Sequence, residues 1–155
     1  SWPIVYRTTS WAERFKPIMG HCFSSKSGLW HYLQMAEGNY RDYLRGDMVK
    51  AKKYFYVLRP ILACRWILEK GTPPPMLFSE LADSQLPHEL GDTVRKLLAL
   101  KMNAPEVKMI PRIDALNAYM EQSIAEVREL VTRYPREKVR DWEELNRLFL
   151  SALEM

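Results

Sequence analysis

Lys52-Lys53-Tyr54-Phe55-Tyr56-Val57-Leu58-Arg59-Pro60-Ile61-Leu62-Ala63-Cys64-Arg65-Trp66 is the stretch on which the fold of this chain turns. Its apolar content and length read as a helix of the buried type. At about 100° per residue, Lys52, Tyr56 and Arg59 lie within roughly 60° of one another on one face. Val57, Ile61, Cys64 and Leu68 point the opposite way and read as core. A buried-type helix that keeps fixed positive charge along one line predicts an anionic partner there, and phosphate is the natural one.

The flanking sequence extends the same pattern. The central helix is expected over residues 48–70, with Asp47 as its cap, Pro60 as a kink and Gly71 as its end. Before it, Leu29, Tyr32, Leu33, Ala36, Tyr40, Tyr43 and Leu44 recur at helical spacing over 29–45, weakened in the middle by Gly38 and ended by Gly46. A shorter helix is expected from Ser10, with Ser10 and Glu13 as a capping box, stopping between Pro17 and Gly20. Residues 1–10 read as extended, because Pro3 biases Trp2 away from helix and Ile4, Val5 and Tyr6 favour strand or coil.

After Gly71, Thr72-Pro73-Pro74-Pro75 is a stiff connector. A short helix is expected over 78–82 and another from Pro87 through Leu100, with 101–111 irregular. Ile113, Leu116, Tyr119, Met120, Ile124, Val127 and Leu130 give a long amphipathic helix. A last helix is expected over 136–153, apolar at Val139, Trp142, Leu145, Leu148 and Phe149. Strand signals are almost absent after residue 10. The fold class is therefore all-α: a single bundle of about five to seven helices with a short extended N-terminal segment.

Composition sets outer bounds. The 155 residues are 47% hydrophobic and 27% charged, ordinary for a globular chain that needs neither disulfides nor metal to hold its core. A net charge of +4 is compatible with nucleotide or nucleic-acid binding without demanding it. Cys22 and Cys64 have no partners at metal-ligand spacing, Cys64 reads as a small buried hydrophobe, and a reducing, cytoplasmic setting is expected. No apolar run is long enough to span a membrane, and no membrane partner is expected. The opening Ser-Trp-Pro-Ile-Val-Tyr reads like the interior of a longer protein.

Several segments together resemble the C-terminal helical part of a predicted nucleotidyltransferase family of the DNA polymerase beta superfamily, associated with RNA repair and RNA ligase pathways. They are Ser1 to Tyr6; Phe23-Ser24 with Lys26; His31 to Ala36 followed by Asn39-Tyr40; Lys52 to Pro60 with Arg65-Trp66; and Pro74-Pro75 with Phe78 and Leu81. The resemblance covers residues 1–130, and the block from Lys52 to Trp66 is its most specific part. It implies an N-terminal catalytic domain of the same protein in which a Gly-Ser turn holds a triphosphate and strand carboxylates hold paired Mg2+ ions. This chain has no Gly-Ser dipeptide, no Asp-x-Asp pair and no sheet to present one. It is therefore expected to be the helical half of such an enzyme, inactive alone, with catalytic and metal-binding residues absent and Mg2+ belonging to the parent protein.

The resemblance also implies site residues. In related enzymes the helical domain forms the second wall of the cleft, so Lys52 and Arg59 are expected at the phosphates of a nucleoside triphosphate or of RNA. Tyr56 between them is expected to donate a hydrogen bond or stack on base or ribose. Lys53 lies off the row and is a further candidate, and His31, Asn39 and Tyr40 are expected to face the same cleft. Each has a structural alternative. The lysines also fit solvated surface, and Arg59 an ion pair with Glu37, Asp42 or Asp47. Arg65 fits a partly buried carboxylate pair, His31 a hydrogen-bonded structural histidine, and Phe55 and Trp66 the core. The competing function is a stand-alone helical module that binds a protein or RNA.

Overall fold

The apolar helix forms the axis of the molecule. In the computed structural model, which describes residues 8–103, 108–137 and 142–153, it runs Ala51–Lys70 (α3) and buries Tyr54, Phe55, Leu58, Ile61, Leu62 and Ile67 among others. A helix apolar on nearly every side must be enclosed. α2 (Ser25–Tyr43) lies along α3 with the most extensive contact, α6 (Asp114–Thr132) packs against both, and α4 (Phe78–Gln85) and α5 (Gly91–Asn103) cover another side. α1 (Ser10–Cys22) and α7 (Glu143–Leu153) pack on each other. The described residues are thus all-α apart from one small ribbon, the fold class read from the sequence. The extended segment expected at the N-terminus lies, over residues 1–7, outside the described residues.

The covering helices follow from their spacing. Leu29, Leu33, Ala36 and Tyr40 return every three or four residues and are buried against α3. On α6, Leu116, Met120, Val127 and Val131 do the same. Gly28 sets the closeness of α2 and α3: a β-carbon there would stand 3.2 Å from Ile67 Cδ1 and 3.3 Å from Phe23 Cζ. Gly38 has open space around it, and α2 runs through it unbroken. Gly71 ends α3 in the left-handed conformation at φ 64°, its N–H donating to the Ile67 carbonyl, a C-cap that glycine adopts without a steric penalty.

The ribbon corrects the expected start of α3. Met48–Lys50 (β1) pairs antiparallel with Met109–Pro111 (β2), Val49 opposite Ile110. Val49 is buried between exposed neighbours, a period of two rather than of 3.6. Asp47 caps nothing by its side chain. The Ala51 N–H instead donates to the Lys108 carbonyl at 3.1 Å, and the Arg112 N–H to the Asp47 carbonyl at 2.8 Å, so strand pairing replaces a side-chain cap at the start of α3. α5 likewise continues helical to Asn103, where irregular chain was expected.

Other ends differ too. α1 is capped by Thr9, whose hydroxyl accepts from the Ala12 N–H, and continues past Pro17 and Gly20 to Cys22. α2 begins earlier than expected, at Ser25 behind the cap Ser24. α7 begins at Glu143 rather than at 136; residues 138–141 of the expected helix lie outside the described residues. Residues 134–137 are non-helical because they dock elsewhere. Glu137 accepts from the Ser24 hydroxyl at 2.6 Å and the Lys26 N–H at 3.0 Å, while Lys26 Nζ donates to the Tyr134 carbonyl. A carboxylate from far along the chain thus reinforces the N-terminus of α2, where the helix dipole favours negative charge.

One polar cluster joins the three main helices. Asn117, on α6 and buried, donates to the Leu44 carbonyl at 2.7 Å and to the Tyr40 hydroxyl at 3.3 Å, and accepts from the Tyr54 hydroxyl at 2.9 Å. Tyr54 in turn accepts from the Ile113 N–H at 2.7 Å, satisfying one of the free donors where α6 begins. Tyr40 donates onward to Glu121 at 2.6 Å.

Asn117→Ala strips partners from two hydroxyls and a buried carbonyl, and is expected to lower stability by about 2–3 kcal/mol. Urea unfolding with an unchanged m-value checks this; a loss under about 0.5 kcal/mol contradicts it. Burial, reinforced by Glu121, pushes the Tyr40 phenol up to about 12, and burial pushes the Cys64 thiol up to about 12 and the Tyr54 phenol above its ordinary value. The folded state therefore holds these protons longer than the unfolded chain. Their contribution is fully present at neutral pH and is lost as pH rises through about 9 to 12. Thermal melts across that range should fall steeply in the parent chain and less steeply in Tyr40→Phe.

Candidate functional site

The exposed side of α3 carries the predicted cationic row, but its members divide. Tyr56 is 50% exposed, while Lys52, Lys53 and Arg59 are each partly buried. Tyr56 and Arg59 line one pocket of about 190 Å³ together with Phe55, Phe78, Leu98 and Lys101. Lys52 and Lys53 are not among its lining residues. Lys53 Nζ sits instead 3.6 Å from the centre of the Tyr43 ring and 4.5 Å from that of Tyr56, a cation held between two aromatic faces. One face of Tyr56 is thereby already engaged.

The pocket is built from three elements. α3 supplies Phe55, Tyr56 and Arg59, α4 opens with Phe78, and the last turns of α5 supply Leu98 and Lys101. Phe55 and Phe78 meet edge to face at 5.3 Å, the arrangement that ring quadrupoles favour. Lys101 Nζ lies 5.2 Å from the Phe55 ring centre. Arg59 donates one terminal N–H to the Met76 carbonyl, pinning the proline-rich connector over the helix. A guanidinium has further donors, so this bond leaves capacity toward the pocket. Among the described residues Arg59 makes none of the expected carboxylate pairs: Glu37 meets Arg128 and Asp42 meets Arg41.

Two cations, aromatic walls and no acidic lining residue offer surfaces complementary to an anion and to a flat ring. Its volume is below the roughly 300 Å³ typical of sites that enclose a drug-sized molecule. A cavity of this size encloses only part of such a molecule.

The remaining candidates lie apart from it. His31 is exposed and meets Tyr32 edge-on at 5.3 Å. The Asn39 amide turns back to the Met35 carbonyl of its own helix at 2.8 Å. Tyr40 is buried in the Asn117 cluster, and its hydroxyl borders a different groove, between α2 and α6. None of these lines the α3 pocket. Arg65 follows its structural alternative, donating to Glu126 at 3.0 Å and to Ser123 at 3.1 Å. Trp66 is half-buried and donates to the Thr72 hydroxyl; Trp142, read as an apolar position of the last helix, is 48% exposed.

Sequence reading missed Lys101, Phe78 and Leu98 as pocket residues. Lys101 falls in the stretch expected to be irregular but lies on α5, one turn after Leu97, and that helical phase turns it toward α3. An Asp-x-Glu triplet, Asp141-Trp142-Glu143, does occur in the chain; Asp141 lies outside the described residues and Glu143 opens α7, so it is no strand pair. Among the described residues no group of three or more His, Cys, Asp or Glu side chains is placed to hold a metal ion, and the Mg2+ of the resemblance finds no fitting donor set among them. Among them too, no helix is long and apolar enough to cross a membrane.

Comparison with known proteins places these features in context. The model of the RNA repair pathway DNA polymerase beta family matches residues 1–151. The chain is similar to the Bacillus subtilis (strain 168) protein named "Uncharacterized protein YcgL", with 38% identity over 152 residues. The match covers 97% of this chain and 58% of that relative, so the chain spans less than two thirds of the relative's length. No solved structure matches it.

Arg59→Ala removes the pin on the connector and is expected to cost about 1 kcal/mol, with faster hydrogen exchange confined to residues 72–77. Global loss of protection instead would make Arg59 a core support.

Proposed function

The chain belongs to the RNA repair pathway DNA polymerase beta family, and from that membership we propose that it is the helical, substrate-binding half of a nucleotidyltransferase. The α3 pocket receives a phosphate and the adjoining ring of a nucleoside triphosphate. Lys101 and Arg59 meet the anion, one as a point charge and one as a fork, while Tyr56, Phe55 and Phe78 offer the apolar walls. Lys52, one turn before Tyr56, extends the positive line toward the remaining phosphates, and Lys53 holds Tyr56 in place. The observation that carries this reading is the meeting of two cations and three aromatic rings at one cavity without a carboxylate.

Nucleotide transfer needs carboxylates that hold Mg2+ and a turn that cradles the triphosphate. Those belong to the catalytic half of the proposed parent protein. This half contributes binding and orientation, which alone do not transfer a nucleotide. The competing reading, a stand-alone helical module that binds a protein or RNA, draws support for a protein partner from the exposed apolar side chains Phe149, Leu150 and Leu153 on α7.

ATP and inorganic triphosphate are the probes. Both should bind the chain, and Tyr56→Ala and Lys101→Ala should each weaken ATP about tenfold, equivalent to about 1.4 kcal/mol, with little change in melting temperature. Triphosphate should respond to Lys101→Ala alone. Absence of binding by the unsubstituted chain, or metal-dependent nucleotide transfer by it unaided, overturns the proposal.

A further inference from the structure

The groove between α2 and α6 holds a second constellation, which shares no lining residue with the α3 pocket. Its volume is about 430 Å³, and its lining carries Arg41, Arg45 and Arg128 beside Glu37 and Glu121, with Ile124 and Ala125 as apolar members. These charges are not equivalent. Arg128 is neutralised by Glu37, and Arg41 uses Nε on Asp42 at 2.9 Å. Arg45 has no carboxylate partner among the described residues.

Glu121 is exposed, yet its carboxylate is fixed. Tyr40 donates to one oxygen at 2.6 Å. Tyr40 itself is held by Asn117, which is held by Tyr54 and the Leu44 carbonyl. An acceptor positioned by buried groups loses little freedom when a ligand binds, which is the supporting-shell arrangement of built recognition sites. The other carboxylate oxygen has no hydrogen-bond partner among the described residues.

From this arrangement we infer that the α2–α6 groove binds the ribose-phosphate backbone of single-stranded RNA, Arg45 and Arg41 meeting a phosphodiester and Glu121 accepting the hydrogen of a ribose 2′-hydroxyl. A phosphate alone would be repelled by Glu121. A backbone that presents an anion and, one sugar away, a hydroxyl donor turns the same carboxylate into a contact. DNA lacks that hydroxyl, so Glu121 is the residue that tells the two backbones apart. Tyr40 is a positioning residue, acting only through Glu121. The assignment does not rest on the nucleotide pocket, and failure of ATP to bind leaves it standing.

The test is fluorescence anisotropy with a short labelled single-stranded RNA and the DNA of the same sequence. The unsubstituted chain should bind RNA about tenfold more tightly than DNA, as expected of one hydrogen bond to a charged acceptor. Glu121→Ala should abolish that preference while leaving DNA affinity equal or higher. Tyr40→Phe should reduce the preference without weakening DNA. Arg45→Ala should weaken both polymers alike and lower the salt slope by about one. Lys16→Ala, an exposed cation on α1 away from both cavities, should change neither. Equal affinity for RNA and DNA, no binding of either, a preference that survives Glu121→Ala, or loss of binding in Lys16→Ala each overturns the inference. Melting temperatures of the exposed-site variants Glu121→Ala and Arg45→Ala confirm that affinity, not folding, is being read.

Discussion

The side-chain amide of Asn117 fixes how the helices of this bundle sit against one another. Leu, Ile and Val faces pack with little preference for one sliding position, because dispersion and burial are non-directional. An amide that must satisfy a carbonyl at the end of α2, a phenol on α2 and a phenol on α3 admits one register. Its geometry is enforced by what misalignment would leave behind, namely buried polar groups without partners. The same tyrosines reach further, Tyr54 to the first turn of α6 and Tyr40 to Glu121, so packing in the interior determines where surface charge is held.

Much of this was legible in the sequence and some was not, for identifiable reasons. The 3.6-residue recurrence of large apolar side chains located α2, α3 and α6, because each buries a continuous stripe and burial is what that period records. Gly71 marked its helix end because only one backbone conformation was at stake. β1 was invisible: Met48 and Val49 continue the apolar rhythm of α3, and a three-residue strand has too few positions to display a period of two. Its partner lies far along the chain, and pairing of that kind leaves no local trace. Glu137 stands in a run of alternating charge that reads as solvated surface, although it serves the start of α2.

The candidate site divides in the same way. Helical phase alone placed Tyr56 and Arg59 on one side of α3, and the pocket contains both. Phase could not show that α4 and α5 would bring Phe78 and Lys101 to the same place, or that Lys53 would be enclosed by Tyr43 and Tyr56. Nor could it show that Tyr40 would turn inward while its helix neighbours His31 and Asn39 stayed with local partners. Relations within a helix are set by backbone geometry, whereas relations between helices are set by packing that only the folded chain displays.

Cys64 lies on the face of α3 against α2, 1% exposed, with its thiol 3.7 Å from the Leu29 carbonyl. Its reactive form, the thiolate, is suppressed by the apolar surroundings that raise its proton affinity. Alkylating reagents and oxidants meet this sulfur only when the two longest-packed helices part. The chain consequently contains its own clock for breathing of the interior, one whose ticks are chemical labels rather than exchanged protons. Cys22, half-buried at the end of α1, keeps time for the surface alone.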